Sequence, residues 1–128
     1  MKYAYLLLKG NDNGRADLIE SESQEFTLKE LQRGVGGNIE IVNVKDPVDG
    51  RKLRLVIDDE GKIKGKRVNL RASLLYGSFY DCIVGDAILG TEIWTEDGPD
   101  VGKLEKEEAL ELQAVINERL GDLKAMIK

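Results

Sequence analysis

The chain has 128 residues, a formal net charge of −5, no histidine and one cysteine. Such a length suits one domain with one core, burying about 65–70% of the unfolded chain's surface. The missing histidine excludes Ser-His and Cys-His nucleophile systems and histidine-bearing zinc sites, and a single cysteine excludes a Cys-rich one.

Aromatic residues are few, so Leu, Ile and Val must build the core. The charge is split along the chain. Residues 1–50 carry nine acids and six bases, residues 51–75 eight bases and three acids, and residues 76–128 twelve acids and five bases. A split of this kind reflects pairing between oppositely charged elements, or a field that guides a partner.

Residues 3–8 (Tyr-Ala-Tyr-Leu-Leu-Leu) form the first expected strand. This apolar run is too short for a signal-peptide core or a membrane span, so a cytoplasmic protein without membrane contact is expected. Asn11-Asp12-Asn13-Gly14 is a turn sequence, because Asn-Gly readily takes positive φ. Residues 15–20 return as a second strand. Thr27-Leu28-Lys29-Glu30 has capping-box spacing, in which the Thr oxygen and the Glu carboxylate each satisfy an orphan backbone donor. Leu28 and Leu31 give this short helix its apolar stripe, and Gly34-Val35-Gly36-Gly37 ends it.

A strand over residues 38–44 follows, then a turn at Asp46-Pro47-Val48-Asp49-Gly50. Residues 52–57 alternate, placing Leu53, Leu55 and Ile57 on one face. If the two strands pair, Glu40 and Arg54 lie close, worth a few tenths of a kcal/mol up to about 1. Asp58-Asp59-Glu60-Gly61 reads as a solvated turn, and Lys62-Ile63-Lys64 as an extended stretch. Residues 68–75 suit a short helix. Residues 80–89 suit a strand that residues 90–94 extend, and residues 96–100 a break.

From about Leu104 a long helix is expected. Ala109, Leu112, Ile116, Leu120, Leu123 and Ile127 make one stripe, widened by Val115 and Met126. Glu105, Glu107 and Glu108 near its start and Lys124 and Lys128 near its end suit the helix dipole. Gly121 weakens its last turns by about 1 kcal/mol relative to Ala.

Several motifs invite a chemical reading. The glycines at 34–37 imitate a phosphate loop, but they follow a helix, whose C-terminal end repels phosphate, where a phosphate loop precedes one. Gly61-Lys62-Ile63-Lys64-Gly65-Lys66-Arg67 has three residues between its glycines where a triphosphate loop has four, and Arg67 where Ser or Thr should hold magnesium. Adjacent acids at 58–60 do not converge on one ion, so no metal and no cofactor are expected. Cys82 reads as a small buried hydrophobe.

The bases Arg51, Lys52, Arg54, Lys62, Lys64, Lys66, Arg67 and Arg71 lack interleaved aromatics, and the chain is acidic. Pairing with the acidic C-terminal helix is favoured over nucleic-acid binding. On that helix Glu105, Glu108, Glu111, Glu118 and Asp122 form a candidate interaction surface, readable as a solvated face or as a mimic of DNA phosphates. Asp86 sits in an otherwise apolar run, where an acid needs a partner. Asn69 or Arg71 would serve. The functional alternative is a polar pocket of Asn69, Arg71, Tyr80, Gly85 and Asp86, where Gly85 lets a ligand approach the backbone.

Leu31-Gln32 and residues 35–42 resemble the opening of a small family of uncharacterised proteins, a domain of unknown function found mostly in bacteriophages, prophages, plasmids and other mobile elements. The likeness continues through Asp59-Glu60-Gly61 and Asn69-Leu70-Arg71-Ala72. It ends in residues 83–90 (Ile-Val-Gly-Asp-Ala-Ile-Leu-Gly), covering about half the chain from Leu28 to Gly90. The resemblance implies a genomic context and offers no catalytic or binding residues to transfer. Gly34 falls where it implies another helix-forming residue, which suggests an early end to the helix. The acidic tail after Gly90 lies beyond it.

The expected fold is a single α+β domain over residues 1–128, with a sheet-containing core over 1–95 and the amphipathic helix over 103–128. A mixed or antiparallel sheet of about five strands, β-grasp-like in its first half, would be covered by the two helices. The expected function is a non-enzymatic accessory protein of a phage or mobile element that binds a host macromolecule, most readily a protein. The alternatives are a small-ligand binder sequestering a nucleotide signal and an acidic DNA-mimicking antirestriction protein. The apolar helix stripe leaves a homodimer open.

Overall fold

The chain runs β1 (Tyr3–Leu8), β2 (Ala16–Ser21), α1 (Leu28–Val35), β3 (Ile39–Asn43), β4 (Leu53–Asp58), α2 (Leu70–Tyr76), β5 (Ala87–Thr95), β6 (Gly98–Gly102), β7 (Leu104–Glu105) and α3 (Lys106–Ile127). The structure, a computed structural model, describes residues 1–10, 15–48, 50–78 and 81–127, with side chains through Glu118. The expected turn at 11–14, and the side chains at the later stripe positions Leu120, Leu123, Met126 and Ile127 and at Asp122 of the acidic surface, fall outside that description.

The class is α+β, and every strand pairing is antiparallel. The path is β2-β1-β5-β4-β3, with β6 added to β5 and β7 to β1. Seven strands replace the expected five or so. The order strand, strand, helix, strand, strand holds in the first half, and the central pair β1–β5 is antiparallel. The segment read as a break at 96–100 is partly β6, in which Pro99 lies opposite Trp94. An outer strand tolerates proline, because no ladder needs its missing N–H. Leu104 and Glu105 pair with Ala4 and Tyr3, so the long helix begins two residues later than its pattern suggested.

Both faces of the sheet are covered, which explains why the strands read as nearly continuous apolar runs. On the larger face Leu6, Leu8, Leu53, Leu55 and Leu89 meet α2 and the α3 positions Ala109, Leu112 and Ile116. The described part of the α3 stripe is therefore buried against its own sheet. On the smaller face Val56, Ile88 and Val101 meet Leu31 and Val35 of α1. The capping box forms as expected: Glu30 N–H donates to Thr27 Oγ1 at 3.1 Å, and Thr27 N–H donates to Glu30 Oε1 at 3.1 Å.

Gly34 does not end the helix early. It lies where a Cβ would stand 2.6 Å from Ile88 Cδ1, so its bare backbone lets α1 approach the sheet. Gly36, at φ 79°, supplies the left-handed stop.

Lys103, only 2% exposed, joins the distant segments. Its Nζ meets Ser21 Oγ at 2.7 Å and Glu30 Oε2 at 2.9 Å, and lies 5.2 Å from the centre of the Phe26 ring. The capping carboxylate of α1 is thus also the counter-ion of a buried lysine. Burial raises the Glu30 pKa, but the hydrogen bonds from Lys103 and Thr27 outweigh it and leave the group below its ordinary value. Among the described residues, no helix is long and apolar enough to cross a membrane.

Candidate functional site

Asn69 is the hinge of the polar cluster singled out in the sequence. It is buried and caps α2, with Oδ1 accepting from Ala72 N–H at 3.1 Å. Its Nδ2 donates to Leu8 O at 2.9 Å and Gly85 O at 2.8 Å. A cap acceptor on one side and two carbonyls on the other fix the amide's orientation and tie the end of β1 to the 85 turn. Gly85 takes φ 77°, and its N–H donates to Arg67 O at 2.7 Å. This left-handed residue ends the extended reading at 80–86, so β5 begins only at Ala87. Before it, Val68 and Val84 make an isolated bridge.

Asp86 finds its partner elsewhere than expected. Gly10 N–H donates to its Oδ1 at 2.9 Å, and Lys9 Nζ lies 3.2 Å from its Oδ2. Neither Asn69 nor Arg71 is its link, because Asn69 spends its amide on backbone and Arg71 reaches no acceptor with Nε or Nη1 among the described residues. A Cβ at Gly10 would stand 2.7 Å from the Gly85 carbonyl carbon, so the two turns touch backbone to backbone. Gly85 and Asp86 do line an open cleft of about 340 Å³, with Gly10, Arg33, Gly36 and Lys66. Tyr80 lies outside the described residues. The predicted pocket therefore divides: Gly85 and Asp86 on a cleft, Asn69 beneath its floor, and Arg71 at another junction.

Asp58 overturns the reading of 58–60 as a solvated turn. It ends β4 on the same face as Val56 and is 4% exposed. Lys64 Nζ lies 2.8 Å and Lys66 Nζ 2.7 Å from its Oδ2, and Glu60 N–H donates to its Oδ1 at 2.9 Å. The same lysines donate to Gly36 O at 3.2 Å and Val35 O at 2.8 Å, covering the negative end of α1. Burial raises the Asp58 pKa, but the two lysine hydrogen bonds and the Glu60 amide outweigh it and hold the carboxyl well below the usual carboxylate range. Residues 62–64 are consequently turn and not an extended stretch.

Beside this knot runs a groove of about 200 Å³ between the outer strand β3, the turn after β4 and the segment before Gly85. Val42, Ile57, Ile63 and Val84 make its apolar lining, and Glu40, Asp59 and Asp81 its acidic rim. Ile63 stands 85% exposed. Lys62 pairs with Asp81 across the groove mouth. Cys82 lines the groove as well and is half-buried, where full burial was expected. Glu40 lies opposite Ile57 in the ladder, and Arg54 donates instead to Asn43 Oδ1 at 3.2 Å.

The acidic surface is also divided. Glu105 belongs to β7 and not to the helix. Glu108 and Glu111 are held by Arg51, at 2.8 Å and 3.0 Å, which is the expected pairing of the basic segment with the acidic helix. Glu118 is exposed. Lys64 and Lys66 turn instead to Asp58. Among the described residues no group of three or more His, Cys, Asp or Glu side chains converges as a metal site would require.

No curated protein and no solved structure matches the chain. A family model matches residues 7–117, well past Gly90 and through the first half of α3, so that half of the acidic helix is part of the shared domain. With that match over most of its length, the chain belongs to the family described as "Domain of unknown function (DUF3846)".

Proposed function

We propose that this protein is a non-enzymatic accessory protein of a phage or other mobile element, and that it docks a host protein in the groove beside β3. The observation that carries the reading is Ile63, a large apolar side chain held 85% exposed at the mouth of a half-apolar groove. The adjoining strand is terminal in the sheet path, so its outer edge suits strand addition by an extended segment. The rim carboxylates Glu40, Asp59 and Asp81 select a partner segment that mixes apolar and basic residues. The non-enzymatic reading is supported by the absence of histidine and by the structural use made of the buried charges Asp58 and Lys103. The resemblance to mobile-element proteins supplies the context.

Affinity purification of the tagged chain from host lysate at low salt tests this. A discrete protein recovered by the wild type, retained by Trp94→Lys and lost with Ile63→Glu supports the groove. No recovery, or recovery indifferent to Ile63→Glu, rejects it.

A second reading, a small-ligand binder, draws on the cleft at Gly85 and Asp86, where glycine backbone and the bases Arg33 and Lys66 border one open space. Equilibrium dialysis against a nucleotide panel, with Arg33→Gln as control, separates it from the first.

A further inference from the structure

Arg71 is a buried charge that the described residues leave partly unsatisfied. The residue is 6% exposed, and its Nε and Nη1 reach no acceptor among the described residues. Buried charged donors without partners are costly, and in native structures such groups call for a water or an ion. A guanidinium cannot escape by losing its proton. Water would satisfy the donors but not the charge.

Among the described residues, the charges that reach Arg71 are one base and one acid, and the base acts more strongly. Asn69 places the first turn of α2 over the end of β1, where Lys9 N–H donates to Arg15 O. Arg15 and Asp17, flanking the start of β2, are the charged groups whose fields reach Arg71. Burial foremost, and Arg15 next, push the guanidinium below its ordinary pKa, while Asp17 opposes them. Among the described residues of α3, two amides reach the start of β2 and are already engaged there: Gln113 Nε2 donates to Ala16 O at 2.9 Å, and Asn117 Oδ1 accepts from Ala16 N–H at 3.2 Å. The charges of Arg15 and Asp17, at the start of β2, both reach Arg71 in the first turn of α2.

We propose that Arg71 and Arg15 form a binding site for a small oxyanion, a phosphoryl or carboxylate group, at this junction. Arg71 supplies buried donors with low competition from water, and Arg15 closes over the ligand from the surface. The site is separate from the groove beside β3.

Isothermal titration of the full chain with inorganic phosphate, adenosine monophosphate and acetate, at matched ionic strength, tests the assignment. Saturable binding of at least one probe is expected. It should weaken at least tenfold in Arg15→Gln, an exposed position, and disappear in Arg71→Met. Tighter binding of phosphate identifies a free ion, of the nucleotide a phosphorylated metabolite, and of acetate a carboxylate. Without anion, Arg71→Met should melt no lower than the wild type, since methionine replaces an uncompensated charge. No saturable binding, binding indifferent to both substitutions, or an anion-independent loss of stability in Arg71→Met overturns the proposal.

Discussion

Asp58 and Arg71 are both charged side chains drawn out of water, and the fold treats them in opposite ways. Asp58 ends a strand and is met by two lysines and a backbone amide. Arg71 lies in the first turn of a helix, within the field of another arginine, with Nε and Nη1 reaching no acceptor among the described residues. The first arrangement closes on itself: the lysines that neutralise Asp58 also cover the last carbonyls of α1, so charge serves to pin one turn against a helix end. The second is open and asks for something from outside. A buried charge thus signals architecture or ligand according to whether its hydrogen-bonding capacity is filled.

Substitutions at filled and unfilled positions should therefore differ in size and sign. The largest effect is expected from Asn69→Ala, which removes a helix cap and the donor of two buried carbonyls. Urea denaturation should show a loss of about 3 kcal/mol. Asp58→Asn should cost about 2 kcal/mol, because Lys64 and Lys66 retain some access to solvent.

The same pair gives a pH signature. The folded-state pKa of Asp58 is depressed, so its contribution is complete above the unfolded value of about 4 and is lost as pH falls further toward the folded value. The wild type should lose its advantage over Asp58→Asn below about pH 4, read from melting midpoints across an acid series. Replacing Glu108 and Glu111 together by Gln breaks only half-exposed pairs with Arg51 and should cost less than about 1 kcal/mol. Arg71→Met, the unfilled case, should show no loss at all in anion-free buffer. A loss matching that of Asp58→Asn would erase the distinction between the two sites.

What the sequence disclosed follows the reach of its signals. The capping box at Thr27 and Glu30 and the left-handed stop at Gly36 depend on neighbours within one turn, and both are legible as written. The apolar face of β4 is equally plain from Leu53, Leu55 and Ile57. Asp58 was misjudged because Asp-Asp-Glu-Gly looks like a solvated turn. Its parity with Val56 places it on the α1 face, and that signal was available. Lys103 could not be foreseen, since its partners Ser21 and Glu30 are 82 and 73 residues away. The candidate pocket was half legible: Gly85 and Asp86 share a cleft, but the link from Asp86 to Gly10 depends on how two distant turns meet. Glu105 seemed helical because an acid near a helix start is common. Pairing with Tyr3 claimed it for the sheet.

The position of β1 has a consequence for how the protein is made. β1 lies inside the sheet, flanked by β2 and β5, and both β5 and β7 follow it at a distance in the chain. Until the residues around Ala87 emerge, one side of β1 has no native neighbour and its leucines stay uncovered. Synthesis stalled before that point would release a fragment with a bare, sticky margin. Commitment to the native state therefore waits for β5, and chaperone demand should peak between the emergence of β1 and that of β5.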